Sequence, residues 1–183
     1  MSEEANRQRF RDAMARLAAA VNVITTDGPH GRCGFTASAV CSVTDSPPTM
    51  LACVNRSSYS HAVLSGNRHV CINVLAAHDT DTANLFAGRT GCTMADRFEQ
   101  RAWMSGVLGT PVLANALVAL EGRIVDSKTV GSHAVFFVEI DDIAIDDGAA
   151  SLVYFDRQFH RLGMPAATHG SADHAALPIH RRR

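Results

Sequence analysis

The sequence predicts a mainly β domain with short helices, a closed antiparallel barrel entered through an N-terminal amphipathic helix. Seven runs of strand length, rich in Val, Ile, Thr and aromatic residues, are separated by turn clusters and short helical stretches. These runs do not alternate regularly with helices, as a parallel βαβ fold would require, and most connections are too short for a parallel crossover. At 183 residues and 46% hydrophobic content, the chain can bury one core and is too apolar to stay disordered.

The elements follow in order. Phe10, Ala13, Met14, Leu17, Ala18 and Val21 recur at helical spacing, with Arg11, Asp12 and Arg16 on the other side, which predicts an amphipathic helix. Val21 to Thr26 then turns β-branched and reads as a strand. The cluster Asp27-Gly28-Pro29-His30-Gly31 turns the chain back into a second strand, Arg32 to Ala37, as a hairpin. Asp45-Ser46-Pro47-Pro48 breaks the chain before a third strand, Thr49 to Val54. Ser57-Ser58 caps a short helix that ends near Gly66-Asn67. His69 to Leu75 is a fourth strand, and Thr80 to Phe86 a second short helix with Gly88 at its C-terminal cap. Gly91 to Pro111 reads as irregular, with one helical turn at Met94 to Phe98. Two long strands follow, Leu117 to Asp126 and His133 to Ile143, then a short one at Leu152 to Phe155. The folded domain is expected over 1–163. From 164 to 183 the chain is rich in Ala, His, Gly and Pro, has no period, and is expected to be a mobile tail.

Charge and cysteine content narrow the function. Lys+Arg 17 against Asp+Glu 18 leaves no basic field, which argues against nucleic acid or an anionic membrane as the partner. No apolar run approaches the roughly 18 residues of a membrane span, and the polar start carries no signal peptide, so a cytoplasmic protein is expected. The five cysteines (Cys33, Cys41, Cys53, Cys71, Cys92) are odd in number and form no C-x-x-C pair. Reduced thiols are therefore expected, mostly as small hydrophobes, with neither a disulfide framework nor a metal site.

Several chemistries lack their signatures. There is no G-x-G-x-x-G and no P-loop, so a Rossmann or P-loop mode of nucleotide binding is disfavoured. There is no H-E-x-x-H, and Ser38 lies in T-A-S-A-V, outside any G-x-S-x-G elbow. What stands out is Gly34 to Thr44, where small residues and hydroxyls replace bulky side chains. Such a segment lets a ligand lie against backbone N–H groups while Ser and Thr meet its phosphate or ribityl oxygens. The competing reading is a loop of small polar residues with ordinary turn chemistry. Asn55-Arg56-Ser57-Ser58, opening a helix, reads either as an anion site or as a plain cap. His133, after Gly131-Ser132, and His160, closing Tyr154 to His160, read individually as ordinary strand-end histidines.

Together these segments resemble a known family. Phe10 to Met14, Ala20 to Thr26, Gly34 to Pro48 (GFTASAVCSVTDSPP), Gly131-Ser132-His133 and Tyr154 to His160 occur in the order seen in the flavin reductase family. These are small NAD(P)H:flavin oxidoreductases that serve two-component aromatic monooxygenases. The similarity runs from about Phe10 to Leu162. It is greatest to the branch serving 4-hydroxyphenylacetate 3-monooxygenases, with the branch serving pyrimidine-degrading monooxygenases nearly as close. The resemblance implies a split β-barrel of Greek-key type, assembled as a homodimer with FMN or FAD near the subunit interface.

The same resemblance implies residue roles. Thr36, Ala37, Ser38, Ala39, Val40, Ser42 and Val43 would line the isoalloxazine and ribityl chain. Cys53, Val54, Asn55 and Ser58 would hold ribityl and phosphate, and Leu85, Phe86 and Ala87 would close over the nucleotide end. His133, Tyr154, Arg157 and His160 would lie on the nicotinamide side. The implied reaction is hydride transfer from NADH, with NADPH as the alternative donor, to FAD or FMN. No catalytic acid or base is needed, and reduced flavin would pass to a separate flavin-dependent monooxygenase. Cys41 and Cys53 place oxidisable thiols beside the proposed flavin segment. The alternatives are a non-catalytic flavin- or haem-binding barrel and an oxidase that retains its flavin.

Overall fold

The computed structural model describes residues 2–148 and 150–163, so the tail expected over 164–183 lies outside the described residues. Ser2 accepts a hydrogen bond from the Ala5 N–H and opens α1 (Glu3–Met14), whose Glu3 and Glu4 sit in the first turn, where the helix dipole favours acids. No residue of α1 is buried, and Phe10 and Met14 on its apolar stripe remain exposed.

The chain then runs through β1 (Ala19–Ala20), β2 (Asn22–Thr26), β3 (Cys33–Ala37), β4 (Val40–Asp45), β5 (Pro48–Asn55), α2 (Tyr59–Asn67), β6 (His69–Val74), α3 (Thr80–Phe86) and α4 (Met94–Glu99). It ends with β7 (Trp103–Ser105), β8 (Pro111–Leu113), β9 (Val118–Val130), β10 (His133–Ile145), β11 (Ser151–Phe155) and β12 (Gln158–Leu162). The main sheet has seven strands in the order β3-β2-β6-β9-β10-β5-β4, all antiparallel. A smaller sheet, β1-β11-β12, stands beside it.

The predicted mainly β architecture with short helices is present, and Ser58 does cap α2, accepting from the His61 N–H at 3.2 Å. Five strands were hidden, among them β1, which stands where the helix pattern read from Phe10 to Val21 continues past the observed end of α1 at Met14. The segment read as a small-residue stretch continues into β4, which pairs with β5 through a turn at Ser46-Pro47. The region read as irregular contains the β7–β8 hairpin, and the run after Phe155 contains β12. The seven-stranded hydrogen-bonded ladder is open, with β3 and β4 as its edges. The reason is local. β3 lies against α2 and α3 instead of β4, and the Thr36 hydroxyl donates to the Ala83 carbonyl of α3 at 2.6 Å.

The core forms two main clusters. One, around Ile24, Leu64, Ile72 and Phe136, fills the main sheet. The other, around Val21, Leu75, Phe86 and Leu152, joins β2 and α3 to the small sheet. Between them Asn73 is fully buried and fully used, donating to the Val23 carbonyl and Thr25 Oγ1 and accepting from the Leu113 N–H at 2.7 Å. A buried amide without these partners would cost about 1–3 kcal/mol, so the network holds β8 in one place. Glu121, also buried, accepts from the N–H groups of Val107 and Leu108 and from the Thr110 hydroxyl, which fixes the turn after β7.

Candidate active site

Two clefts flank the end of β3 and share the wall Thr36-Ala37-Ser38. The strand cleft, of ≈ 270 Å³, lies between Thr36 to Ala39 and the facing end of β5, Cys53 to Asn55, with Ser58 and His133 at its rim. The hairpin cleft, of ≈ 260 Å³, is closed by Asn84, Ala87 and Arg89 on and just beyond α3, and by Tyr154 and Phe159 of the β11–β12 hairpin. Either alone is smaller than the ~300–1,000 Å³ of an ordinary ligand site, whereas the two together fall inside that range.

Local sequence explains the walls. Ser38 and Ala39 are the only residues between the two sheet edges, and their small side chains leave the gap open. The Ser38 hydroxyl has no protein partner among the described residues. That of Thr36 is already committed as a donor to Ala83, which leaves it only as an acceptor for a ligand. Ser58 is likewise engaged, donating to the Asn55 carbonyl at 2.7 Å, and Asn55 accepts from the Ser57 N–H at 3.0 Å, so this rim is pre-shaped. Gly131, at φ +55, makes the sharp β9–β10 turn that L side chains resist. The Arg56 N–H bonds the Ser132 carbonyl at 3.0 Å, which brings His133 opposite Asn55. The His133 Nδ1 lies 2.9 Å from the Ser132 hydroxyl.

The structure thus gathers Thr36, Ala37, Ser38, Ala39, Cys53, Val54, Asn55, Ser58 and His133 in one cleft, and Ala87 and Tyr154 in the adjoining one. Other expected residues stand apart. Val40 packs against the core, while Ser42 and Val43 are exposed on β4 and line neither cleft. Leu85 and Phe86 are buried in the core and support α3 from beneath. Arg157 is ion-paired with Asp12, and His160 Nε2 lies 3.1 Å from the Phe155 carbonyl. Asn84 and Arg89 line the hairpin cleft without having been expected there, whereas Phe159 belongs to the Tyr154 to His160 run that the resemblance put on the nicotinamide side. Arg89 carried a faint signal as a cation just past a helix-ending glycine, but nothing in the sequence aims Asn84 at a ligand. A further cleft, of ≈ 450 Å³, beside α4 contains none of the expected residues. Its Arg32 is already occupied, lying 4.1 Å over the Phe98 ring and 3.5 Å from Asp27.

The thiols divide by burial. Desolvation pushes Cys33 up to about 11 and Cys71 up to about 12, the latter helped by the Glu121 carboxylate. Burial also raises Cys53, with Cys41 adding to the shift. At pH 8 a pKa of 11 leaves about one thiolate in a thousand, so Cys33 and Cys71 are expected to resist a polar thiol reagent while exposed Cys41 labels first. Peptide mapping over a labelling time course checks this, and early modification of Cys33 or Cys71 in the folded protein would refute it.

A family model described as a flavin reductase like domain matches residues 14–163. The chain belongs to the flavin reductase family. It is 49% identical over 162 residues to the 4-hydroxyphenylacetate 3-monooxygenase reductase component of Pseudomonas aeruginosa, covering 88% of this chain and 95% of that one. It is 51% identical over 156 residues to the FMN reductase (NADH) RutF of Stutzerimonas stutzeri, covering 85% and 88%. Among solved structures, BorF, the flavin reductase component of a bacterial two-component tryptophan halogenase, superposes with a TM-score of 0.81 at 27% identity, covering 87% of this chain and 99% of that one. The NADH:FAD oxidoreductase SgcE6 of Streptomyces globisporus, solved with NAD and FAD fragments, gives 0.82 at 26% identity, covering 91% and 98%.

Proposed function

We infer that this chain is an NAD(P)H-dependent flavin reductase that passes reduced flavin to a separate monooxygenase. The observation that carries the reading is the pair of clefts sharing one wall of small residues, Thr36 to Ser38, next to an aromatic pair and a histidine. When bound, FAD or FMN supplies the hydride acceptor and NADH, or NADPH, the donor. The chain's own task is to hold two planar groups in register and exclude water, for which no general acid or base is required. Ala37, Ser38 and Ala39 leave room for a ring against the backbone. Asn55, Ser58 and Arg89 offer polar and cationic groups to ribityl and phosphate oxygens. His133 and Tyr154 stand at the two openings for the nicotinamide nucleotide.

Two structural features belong to the same reading. The edges β3 and β4 are joined by two residues, which span only about 11 Å when extended, and this short link supports a sheet curled into a split barrel with the clefts at its seam. Strands β4, β9 and β10 leave Val43, Val125, Ile143 and Ile145 exposed, and a second copy covering them forms the homodimer. No described helix is long and apolar enough to cross a membrane, and the nicotinamide donor fits a cytoplasmic site of action.

The test is NADH oxidation in air by the purified protein, with and without added FAD or FMN. Oxidation that depends on added flavin is expected. Its absence with both flavins and both nicotinamide donors would overturn the reading, and a persistently yellow protein that needs no added flavin would point to a flavin-retaining oxidase. Light scattering on the same preparation should give twice 19.6 kDa, and a monomer mass at micromolar concentration would remove the dimer.

A further inference from the structure

We propose that Asp12 and Arg157 are positioning residues for this reaction: their ion pair latches the β11–β12 hairpin to α1 and thereby sets the Tyr154–Phe159 wall of the hairpin cleft. The proposal rests on the reading that the nicotinamide nucleotide meets the hairpin cleft at its Tyr154–Phe159 wall, opposite the α3 side that faces the flavin. It departs from the role that resemblance suggested for Arg157, because the side chain is turned away from the cleft toward a carboxylate.

The hairpin explains why a latch is needed. Phe155 pairs with Gln158, so Asp156 and Arg157 alone make the turn, at φ 47 and 63. A two-residue turn of this kind favours Asn-Gly, since both central residues are left-handed. Placing Asp and Arg there is a backbone penalty that neighbouring structure must offset. The neighbour is the end of α1. The Asp156 N–H donates to the Ala15 carbonyl at 2.6 Å, and Arg157 Nη2 meets Asp12 Oδ1 at 2.5 Å.

The carboxylate is also out of place without its partner. Asp12 lies in the last turn of α1, where the helix dipole disfavours a negative charge. The Arg157 guanidinium, with the Gln8 amide at 2.9 Å, holds its carboxyl below the usual range, so the pair stays ionised at neutral pH. α1 buries no residue, and this turn together with the two-residue pairing of β1 with β11 ties its end to the body. Tyr154 and Phe159 sit directly opposite each other a few residues from the turn, with ring centroids 5.3 Å apart, and both line the cleft. A shift at the tip therefore moves that wall. Arg157 and His160 line neither flank of the clefts.

The experiment measures NADH kcat and KM at saturating flavin, flavin Kd and melting temperature for Asp12→Ala, Arg157→Ala, the double alanine variant, the charge-swapped pair Asp12→Arg with Arg157→Asp, and Phe159→Ala. Each single latch variant is expected to raise KM for NADH about two- to five-fold, the scale of an exposed ion pair, with kcat and flavin Kd near wild type. The double alanine variant should be no worse than either single one, and the charge swap should restore most of the KM. If Arg157→Ala raises KM while Asp12→Ala does not, Arg157 touches the nucleotide directly and the latch is overturned. Additive losses, a charge swap without rescue, or melting shifts with unchanged KM overturn it as well. Phe159→Ala separates the two levels: an unchanged NADH KM there removes the reading of the cleft, whereas a raised KM with silent latch variants removes only the latch.

Discussion

Ser38→Trp is expected to abolish flavin-dependent NADH oxidation while leaving the protein folded. Ser38 is exposed, makes no hydrogen bond through its hydroxyl among the described residues, and is one of three residues shared by both clefts. An indole at this position is large enough to fill the wall that the two clefts share. Displacing a reacting ring by even an ångström costs on the order of a hundredfold, and blocking both openings should cost at least that in kcat/KM. Stability should move little, since an exposed substitution away from caps and networks lies within about 0.5 kcal/mol. Ser38→Ala is the control: it removes only the hydroxyl and should keep most of the activity. Steady-state kinetics and flavin titration on both variants decide the matter. A Trp variant with near wild-type kcat/KM would show that the chemistry happens elsewhere.

Phe86→Ala carries the largest expected loss of stability. The ring is 1% exposed, stands 5.3 Å from Phe98 and 5.5 Å from Trp103 in edge-on contacts, and packs so closely on β3 that a Cβ on Gly34 would meet it at 2.8 Å. Removing a buried phenyl costs about 3–5 kcal/mol, because the lost transfer energy adds to the cavity left behind. For a chain of this size that is a fall in melting temperature on the order of 10 °C. Flavin affinity should weaken with it, since Asn84 and Ala87 are carried by the same helix. The discriminating measurement is urea unfolding alongside flavin binding. A loss below about 1 kcal/mol with strongly weakened flavin binding would make Phe86 a ligand contact after all, as the resemblance implied.

Much of the site was legible because it is contiguous in sequence. The small residues from Thr36 to Ala39 contrast with the bulky apolar runs on either side, and Ser58 sits where a cap must sit, so both could be marked before any fold was known. His133 was legible through Gly131, whose positive φ makes the turn that delivers it. Leu85 and Phe86 illustrate the opposite case. On a helix as short as α3, one residue lines the cleft and the next faces the core, and the sequence pattern over seven residues cannot say which. The partner of Arg157 was not legible, because Asp12 is 145 residues away in the chain.

The class of the domain, the positions of α2 and α3, the β2–β3 hairpin, the two long strands and the small-residue segment beside the clefts were all readable in the sequence. Each of these depends on neighbours within a few residues: periodicity, caps and turn chemistry. Long-range contacts were needed to show that α1 stops at Met14, that the ladder is open between β3 and β4, that β1, β4, β7, β8 and β12 are strands, and that Asn84, Arg89 and Phe159 meet Thr36 to Ser38 around one cleft. Short strands and cleft walls are stabilised by partners far along the chain, such as the Asn73 bond to Leu113 and the Thr36 bond to Ala83. Such long-range partners leave no local periodicity to read.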